Sequence, residues 1–249
     1  MAGHSHWAGI KHKKGKADKQ RSKLFSKLSR EITVAAKLGL PDIEFNPRLR
    51  SAVQAAREAN MPKDNITRAI KKSQGPNEDS NYEKSQYEGF GPGGVAFIVE
   101  ALTDNKNRTV TNLRSLFEKN NASLGVEGSV SYQFEEVGHI KIKKELISEE
   151  AIFAQALEAG AEDCTSGEEH HEIFCKKEHF NKVRTSIETK IKDLSFSSII
   201  WKPKNTVSIN KEIFEKIITF IDLLEDDEDV QNVYTNFDID ENILKELEL

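Results

Sequence analysis

A dense run of basic residues lies close to the start of the chain, within residues 3–23. It holds seven Lys or Arg, three His and one Trp against a single acid, Asp18. Cations at this density hold counterions, and the release of these counterions on contact with a phosphate backbone raises the binding affinity. The ring of Trp7 could also stack on a base. The run therefore predicts a nucleic-acid contact, whose candidates are Trp7, Lys11, His12, Lys13, Lys14, Lys16, Lys19, Arg21 and Lys23.

Further basic residues occur in the segments that follow this arm. They extend the positive charge over the helices predicted there, although an ordinary solvated helix face also carries such charges. The additional candidates are Lys27, Arg30, Arg48, Arg50, Lys63, Arg68, Lys71 and Lys72.

Two other roles are open to the arm. It could be a solvated tail, or an organelle transit peptide, since such peptides are also basic and poor in acids. A transit peptide is Arg-rich and amphipathic, whereas residues 1–19 are Lys-rich and have no apolar face. The nucleic-acid contact is the better prediction.

Two further motifs could do chemistry but lack the required pattern. The segment EGFGPGG (88–94) has no Lys-Ser/Thr ending and precedes a predicted strand, so it predicts a turn rather than a phosphate loop. The possible zinc ligands are not spaced as paired knuckles; they are Cys164, His170, His171, Cys175 and His179.

Signatures of the common enzyme classes do not occur. We therefore predict no metal, no cofactor, no catalytic residue and no enzymatic activity.

An acidic run, EDDED, occupies residues 225–229. It lacks the spaced carboxylates and the central Gly of a calcium loop, so it predicts a solvated turn. It could also attract the basic arm when no nucleic acid is bound.

Charge is distributed unevenly along the 249 residues, whose net charge is −5. Residues 1–75 contain 17 Lys or Arg and 6 acids, and residues 76–249 contain 19 and 35, so the two parts carry +11 and −16. This split indicates that one part meets a polyanion while the rest keeps the molecule soluble. With two Cys and no apolar run near the roughly 20 residues that span a bilayer, we expect a cytoplasmic protein.

Hydrophobic periodicity predicts three short helices that pack into a bundle. The first spans 20–37, with Leu24 and Ile32 among its inward residues, and the others begin near Pro47 and after Pro62. The polar segment 75–86 predicts a linker or the edge of the next unit.

Beyond residue 76 strands alternate with helices, which predicts an α+β fold. Segments 128–136 and 138–144 are predicted as separate strands, and the elements from 139 to 202 follow the order β-α-β-α-β. We expect an α+β multidomain protein, in which a three-helix domain precedes two domains of the split β-α-β type, the last inserted into the middle one. The expected bounds are 1–76, 77–137 with 205–249, and 138–204.

Five long blocks carry a resemblance to a known family. They are MAGHSHWAGIKHKKGKADKQRSKLFSKLSREITVAAKLG (1–39), NPRLRSAVQAAREANMPKDNITRAIKK (46–72), YEGFGPGGVAFIVEALTDNKNRTV (87–110), GSVSYQFEEVG (128–138) and LEDDEDVQNVYTNFDI (224–239). In this order they resemble the YebC family of transcriptional regulators, which also includes a mitochondrial translational activator. The resemblance implies three domains, a cytoplasmic location, DNA binding without catalysis, and nucleic-acid contacts at the basic positions of 11–30 and 63–72. It also implies that some members act at the ribosome.

We therefore expect a transcriptional regulator that binds DNA through its basic arm and helical domain. The alternative is a ribosome-associated translation factor or translational activator that binds ribosomal RNA. A third possibility is an acidic interaction module whose tail is dispensable. The expected partners are DNA or ribosomal RNA, and a protein could bind the acidic domains; we expect a monomer and no membrane.

Overall fold

The computed structural model describes residues 17–74, 82–240 and Ile243, with side chains from Ser22 onward. Within these residues the chain forms seven α-helices and ten β-strands, so the α+β expectation is confirmed. The arm candidates from Trp7 to Lys16 lie outside the described residues. Lys19 and Arg21 lie in the first helix, but their side chains are also outside the described part.

The helices are α1 (Ala17–Leu38), α2 (Pro47–Glu58), α3 (Lys63–Lys72), α4 (Lys106–Lys119), α5 (Glu149–Ala159), α6 (Phe180–Lys190) and α7 (Lys211–Glu225). The strands are β1 (Glu83–Phe90), β2 (Ala96–Thr103), β3 (Ser123–Leu124), β4 (Phe134–Lys143), β5 (Asp163–Ser166), β6 (His170–Lys176), β7 (Phe196–Pro203), β8 (Val207–Ser208), β9 (Val230–Thr235) and β10 (Phe237–Asp238).

The chain divides into two compact units. One unit consists of the described parts of Met1–Lys27, Pro76–Glu135 and Pro203–Leu249, and the other of Leu28–Gly75 and Glu136–Lys202. The finer division into three domains stays a prediction.

A single asparagine joins the end of α1 to the start of α2. Asn46 is buried and caps α2, since its side-chain oxygen accepts a hydrogen bond from the Leu49 N–H at 3.0 Å. Its amide nitrogen donates to the carbonyl of Ala35 (2.8 Å), in the last turn of α1, and to that of Leu40 (2.7 Å), two residues beyond the helix. Leu24, predicted to face inward, is instead 44% exposed, because the fully buried stretch of α1 begins only at Ile32.

The first sheet has the strand order β3-β1-β2-β9, and all of its pairs are antiparallel. Its core is centred on Phe97 of β2, Phe117 of α4 and Phe220 of α7, whose ring centroids lie 4.9 to 6.3 Å apart. Such tilted and edge-to-face ring pairs contribute beyond the area they bury. A separate parallel pair joins β8 to β10.

Strand β1 favours the second alternative for segment 75–86, the edge of the next unit, over a linker. Residues 83–86 belong to this strand, which pairs in full register with β2 from Glu83 to Phe90. The polar sequence of β1 gives no strand signal, because the apolar residues lie in its neighbour β2. The turn expected at EGFGPGG is present, since Pro92–Gly94 forms a 3₁₀ turn in which Gly93 and Gly94 have φ of 71° and 75°.

The second sheet has the order β5-β6-β4-β7 and carries α5 and α6 on one face. The chain order β4-α5-β5-β6-α6-β7 makes it a split β-α-β unit, because each helix joins two strands that are not adjacent. Its core contains Ile140, Ile142 and Ile173 of the sheet and Ile152 and Val183 of the helices.

One strand, β4, replaces the two strands predicted across 128–144. A glycine between two apolar runs predicts the end of a strand, but Gly138 lies inside β4. A Cβ at this position would lie 2.5 Å from the Phe180 ring and 2.6 Å from the sulfur of Cys175, so glycine permits close packing there. Strand β5 was not predicted, because its four residues, DCTS, show no apolar alternation.

A buried carboxylate fixes the loop that precedes β4. Glu88 is 2% exposed, and its oxygens accept hydrogen bonds from the backbone N–H groups of Gly128 (3.1 Å), Val130 (2.8 Å) and Ser131 (2.8 Å). Burial alone would raise the pKa of Glu88, but these three donors and the Gln86 amide outweigh it and hold the pKa below its usual value.

No helix in the described part of the chain is both long and apolar enough to cross a membrane.

We predict that Glu88→Gln lowers the free energy of unfolding by about 2 kcal/mol at neutral pH, because the new NH₂ group faces backbone donors. The native pKa of Glu88 is depressed, so its stabilisation is present above the unfolded pKa of about 4.3 and is lost as the pH falls through the native pKa. The difference between the two proteins in urea denaturation should therefore shrink in acid. Glu215→Gln, at an exposed position of α7, is the control, and an equal loss there would contradict the assignment.

Candidate nucleic-acid interface

Helix α3 carries a predominantly basic face. Its buried side holds Ile66 and Ala69. At 100° per residue, its four basic residues lie on the opposite half of the helix, around the lone acid Asp64. All four are exposed and have no hydrogen bond or ion pair to any described residue; they are Lys63, Arg68, Lys71 and Lys72. These cations are available to a polyanion.

The two predicted arginines of α2 are held by internal contacts instead. Arg48 forms a bidentate pair with Glu31 of α1, with N–O distances of 2.7 and 3.1 Å. Arg50 donates to the carbonyls of Ile43 and Glu44 and lies 3.3 Å from a carboxylate oxygen of Glu188 in the same compact unit. Paired, planar guanidinium groups of this kind brace a fold and have fewer donors left for phosphate.

The first half of α1 contacts the acidic run. Nζ of Lys23 lies 2.8 Å from Oδ1 of Asp226, and Nζ of Lys27 donates to the backbone carbonyl of Glu225 at 2.7 Å. These residues belong to one compact unit. The contact suits the suggestion that the acidic run attracts basic residues near the arm, although the arm itself lies outside the described residues. Arg30, also in α1, is half-buried and engaged in contacts of its own.

The last residue of the acidic run is not solvated, which corrects the prediction of a solvated turn. Asp229 is 3% exposed, and its carboxylate accepts hydrogen bonds from Arg108 (2.8 and 3.0 Å), Thr109 (2.8 Å) and Thr103 (3.3 Å). Its backbone carbonyl accepts from the Leu102 N–H of β2 at 2.8 Å. The hydrogen bonds to Asp229 anchor the acidic run against β2 and the start of α4.

Two of the residues considered as zinc ligands, His171 and Cys175, have structural roles. Nδ1 of His171 lies 2.7 Å from the Ser166 hydroxyl, and its Nε2 lies 3.0 Å from the Ile147 carbonyl. Cys175 is in the core, where burial raises its thiol pKa to about 11. Among the described residues, no group of three or more His, Cys, Asp or Glu is arranged to hold a metal ion.

Comparisons with known proteins cover nearly the whole chain. The family model described as the TACO1/YebC protein N-terminal domain matches residues 5–76, and that of the TACO1/YebC second and third domain matches residues 82–237. A protein of Pelagibacter ubique named "Probable transcriptional regulatory protein" is 55% identical over 242 residues, covering 97% of this chain and all of the relative. The crystal structure of the conserved hypothetical protein Aq1575 from Aquifex aeolicus matches with a TM-score of 0.82 and 48% identity, covering 94% of this chain and 97% of the other.

Arg48 is paired within the protein and Lys71 has no partner among the described residues, so we predict that replacing them changes the free energy of unfolding by different amounts. Arg48→Gln should lower the free energy of unfolding by about 1 kcal/mol, because the pair with Glu31 is bidentate but still a third exposed. Lys71→Gln, in α3, should change it by less than about 0.5 kcal/mol, since this side chain has no partner among the described residues. Guanidinium denaturation of both variants measures the difference, and equal effects would show that Arg48 is not structural.

Proposed function

Because the chain belongs to the TACO1/YebC family, we propose that it regulates transcription by binding DNA through its basic arm and α3, without catalysing a reaction. The observation that carries the proposal is the exposed basic face of α3, where four cations have no partner among the described residues. The name of the Pelagibacter ubique relative supports the regulatory role. A cytoplasmic location and the three-domain organisation expected from the sequence are part of the same proposal.

Phosphate contacts fix the affinity and the register of such a complex. A helix that presents four cations to a sugar-phosphate backbone gains free energy by releasing counterions, and this gain falls as salt rises. Phosphates are common to all sequences, so the α3 face positions the protein without specifying a DNA site.

Ribosomal RNA offers the same phosphates and is the competing target. The two targets are separated by crosslinking the protein in cells and asking whether it is recovered with chromosomal DNA or sediments with ribosomes. Recovery with DNA is the result expected. Sedimentation with ribosomes would replace transcription by translation as the regulated process, and recovery with neither would overturn the proposal.

We predict that replacing Lys63, Arg68, Lys71 and Lys72 by Gln weakens DNA binding roughly a thousandfold at about 150 mM salt. The slope of log K against log salt should fall by about 3 to 4, since each phosphate contact contributes about 0.9 on duplex DNA. Fluorescence anisotropy over a salt series measures both quantities. The matched control replaces four exposed lysines elsewhere, namely Lys182, Lys190, Lys192 and Lys216. An unchanged slope in the α3 variant, or an equal loss in the control, would contradict the role of α3.

Removing the contact between Lys23 and the acidic run should strengthen DNA binding, whereas removing the cations of α3 should weaken it. Asp226→Asn removes the ion pair that holds Lys23, so DNA binding should become roughly 1.5- to 5-fold tighter, the range expected for an exposed pair. Glu150→Gln, at the exposed start of α5, removes the same charge as a control. Equal tightening in both variants would show only a change in net charge, and weaker binding of D226N would exclude competition for Lys23.

A further inference from the structure

The face of the second sheet opposite α5 and α6 carries an unusual set of side chains. Ile140 and Ile173 point into the core, so the alternation of β-strands places His139 and Lys141 of β4 and Phe174 of β6 on the other face. The alternation of β7, whose Ile199 packs against the core, places Phe196 and Lys202 on that face too. We call this set the sheet platform; it comprises His139, Lys141, Phe174, Phe196 and Lys202.

Three rings of the sheet platform lie against one another. His139 and Phe174 are directly opposite in the ladder of β4 and β6, and their rings are stacked, with centroids 4.4 Å apart and planes inclined by 10°. The Phe196 ring lies 5.3 Å from that of His139. His139 is 6% exposed, Phe174 is partly exposed and Phe196 is 38% exposed. The sheet therefore offers aromatic surface to a flat ligand at Phe174 and Phe196.

Polar contacts hold the sheet platform in this arrangement. Oε2 of Glu172 lies 2.9 Å from Nε2 of His139, and its Oε1 accepts a hydrogen bond from Nζ of Lys141 at 3.0 Å. Burial lowers the pKa of His139, so its ring is neutral at neutral pH. Burial would raise the pKa of Glu172, but His139 and Lys141 outweigh it and lower the pKa to about 2. The carboxylate therefore stays ionised and fixes both neighbours before any ligand arrives.

Positive charge surrounds the rings. Nζ of Lys202 lies 4.5 Å from the centroid of Phe174, a cation–π contact that a flexible side chain can leave. On its four strands, this face carries four lysines, at positions 141, 143, 176 and 202, and three acids, Glu135, Asp163 and Glu172. Aromatic rings with lysines around them suit a ligand that has flat bases on an anionic backbone.

We propose that the sheet platform binds single-stranded RNA by stacking bases on Phe174 and Phe196 while Lys141 and Lys202 contact the backbone. RNA-recognition motifs use a four-stranded sheet in this way, with aromatic side chains stacking two or three bases. Duplex DNA cannot use such a surface, because its bases are already stacked inside the helix. This site is separate from α3 and does not depend on the function proposed for that helix.

The test measures stacking directly in the full-length protein. A single-stranded RNA of roughly ten nucleotides carrying 2-aminopurine loses fluorescence when its base stacks on a ring, and about 200 mM salt weakens contacts made only through phosphate. Phe196→Ala and Phe174→Ala should each weaken binding by roughly 5- to 100-fold and restore the fluorescence. Phe196→Tyr, which keeps the ring, should bind as the parent does.

Phe153→Ala is the matched control, because Phe153 is 55% exposed on α5, outside the sheet platform. Thermal unfolding of each variant identifies loss of fold; if F174A unfolds, then F196A decides, since Phe196 is the more exposed ring. Unchanged binding of F196A, equal loss in F153A, or tighter binding of the matched DNA strand or duplex would each overturn the proposal. Neutralising the four α3 cations should leave the fluorescence change in place, so a failure of the α3 site and a failure of the sheet platform give different results.

Discussion

A buried carboxylate that must be fully hydrogen-bonded is the constraint on which the arrangement around the acidic run depends. Asp229 would be strongly unfavourable in the interior without partners, and Arg108, Thr103 and Thr109 supply them from the end of β2 and the first turn of α4. The same hydrogen bonds fix where α7 ends and β9 begins, because Asp229 lies between them. The exposed acids before Asp229 are thereby held beside α1, where Asp226 meets Lys23. One buried carboxylate with a full set of hydrogen bonds thus determines where several surface acids lie.

The basic residues of α2 and α3 also fall into two groups, according to whether they have a hydrogen-bond acceptor within the protein. Arg48 and Arg50 have carboxylate and carbonyl acceptors at short distances, so their charge is used within the protein. The cations of α3 have no such acceptor among the described residues, and their charge is left for a ligand. Net charge alone does not distinguish the groups, since every one of these cations adds one positive charge to the excess of +11 in the first 75 residues.

Much of the fold follows from the sequence, and the exceptions have physical causes. The helices predicted to begin near Pro47 and after Pro62 are present as α2 and α3, because apolar periodicity and the prolines mark them clearly. Strand β1 was missed because a polar strand gives no periodic signal when its partner supplies the apolar surface. The role of Asp229 was missed because a run of acids indicates solvent, whereas burial depends on donors distant in sequence. The sheet platform was missed for a similar reason, since its rings come from three strands and only the alternation HIKIK of β4 hints at an outward face.

The polar character of β1 has a consequence for association between molecules. Strand β3 covers only Gly89 and Phe90, so among the described residues the earlier part of β1 forms an edge of the first sheet. Unpaired edges invite strands from other molecules, and charged side chains are a common defence against such pairing. Glu83 and Lys84 are both exposed there. The polarity that concealed the strand in the sequence thus protects the sheet from adding a strand of a second copy, and it would be lost if this segment were made more apolar to strengthen the fold.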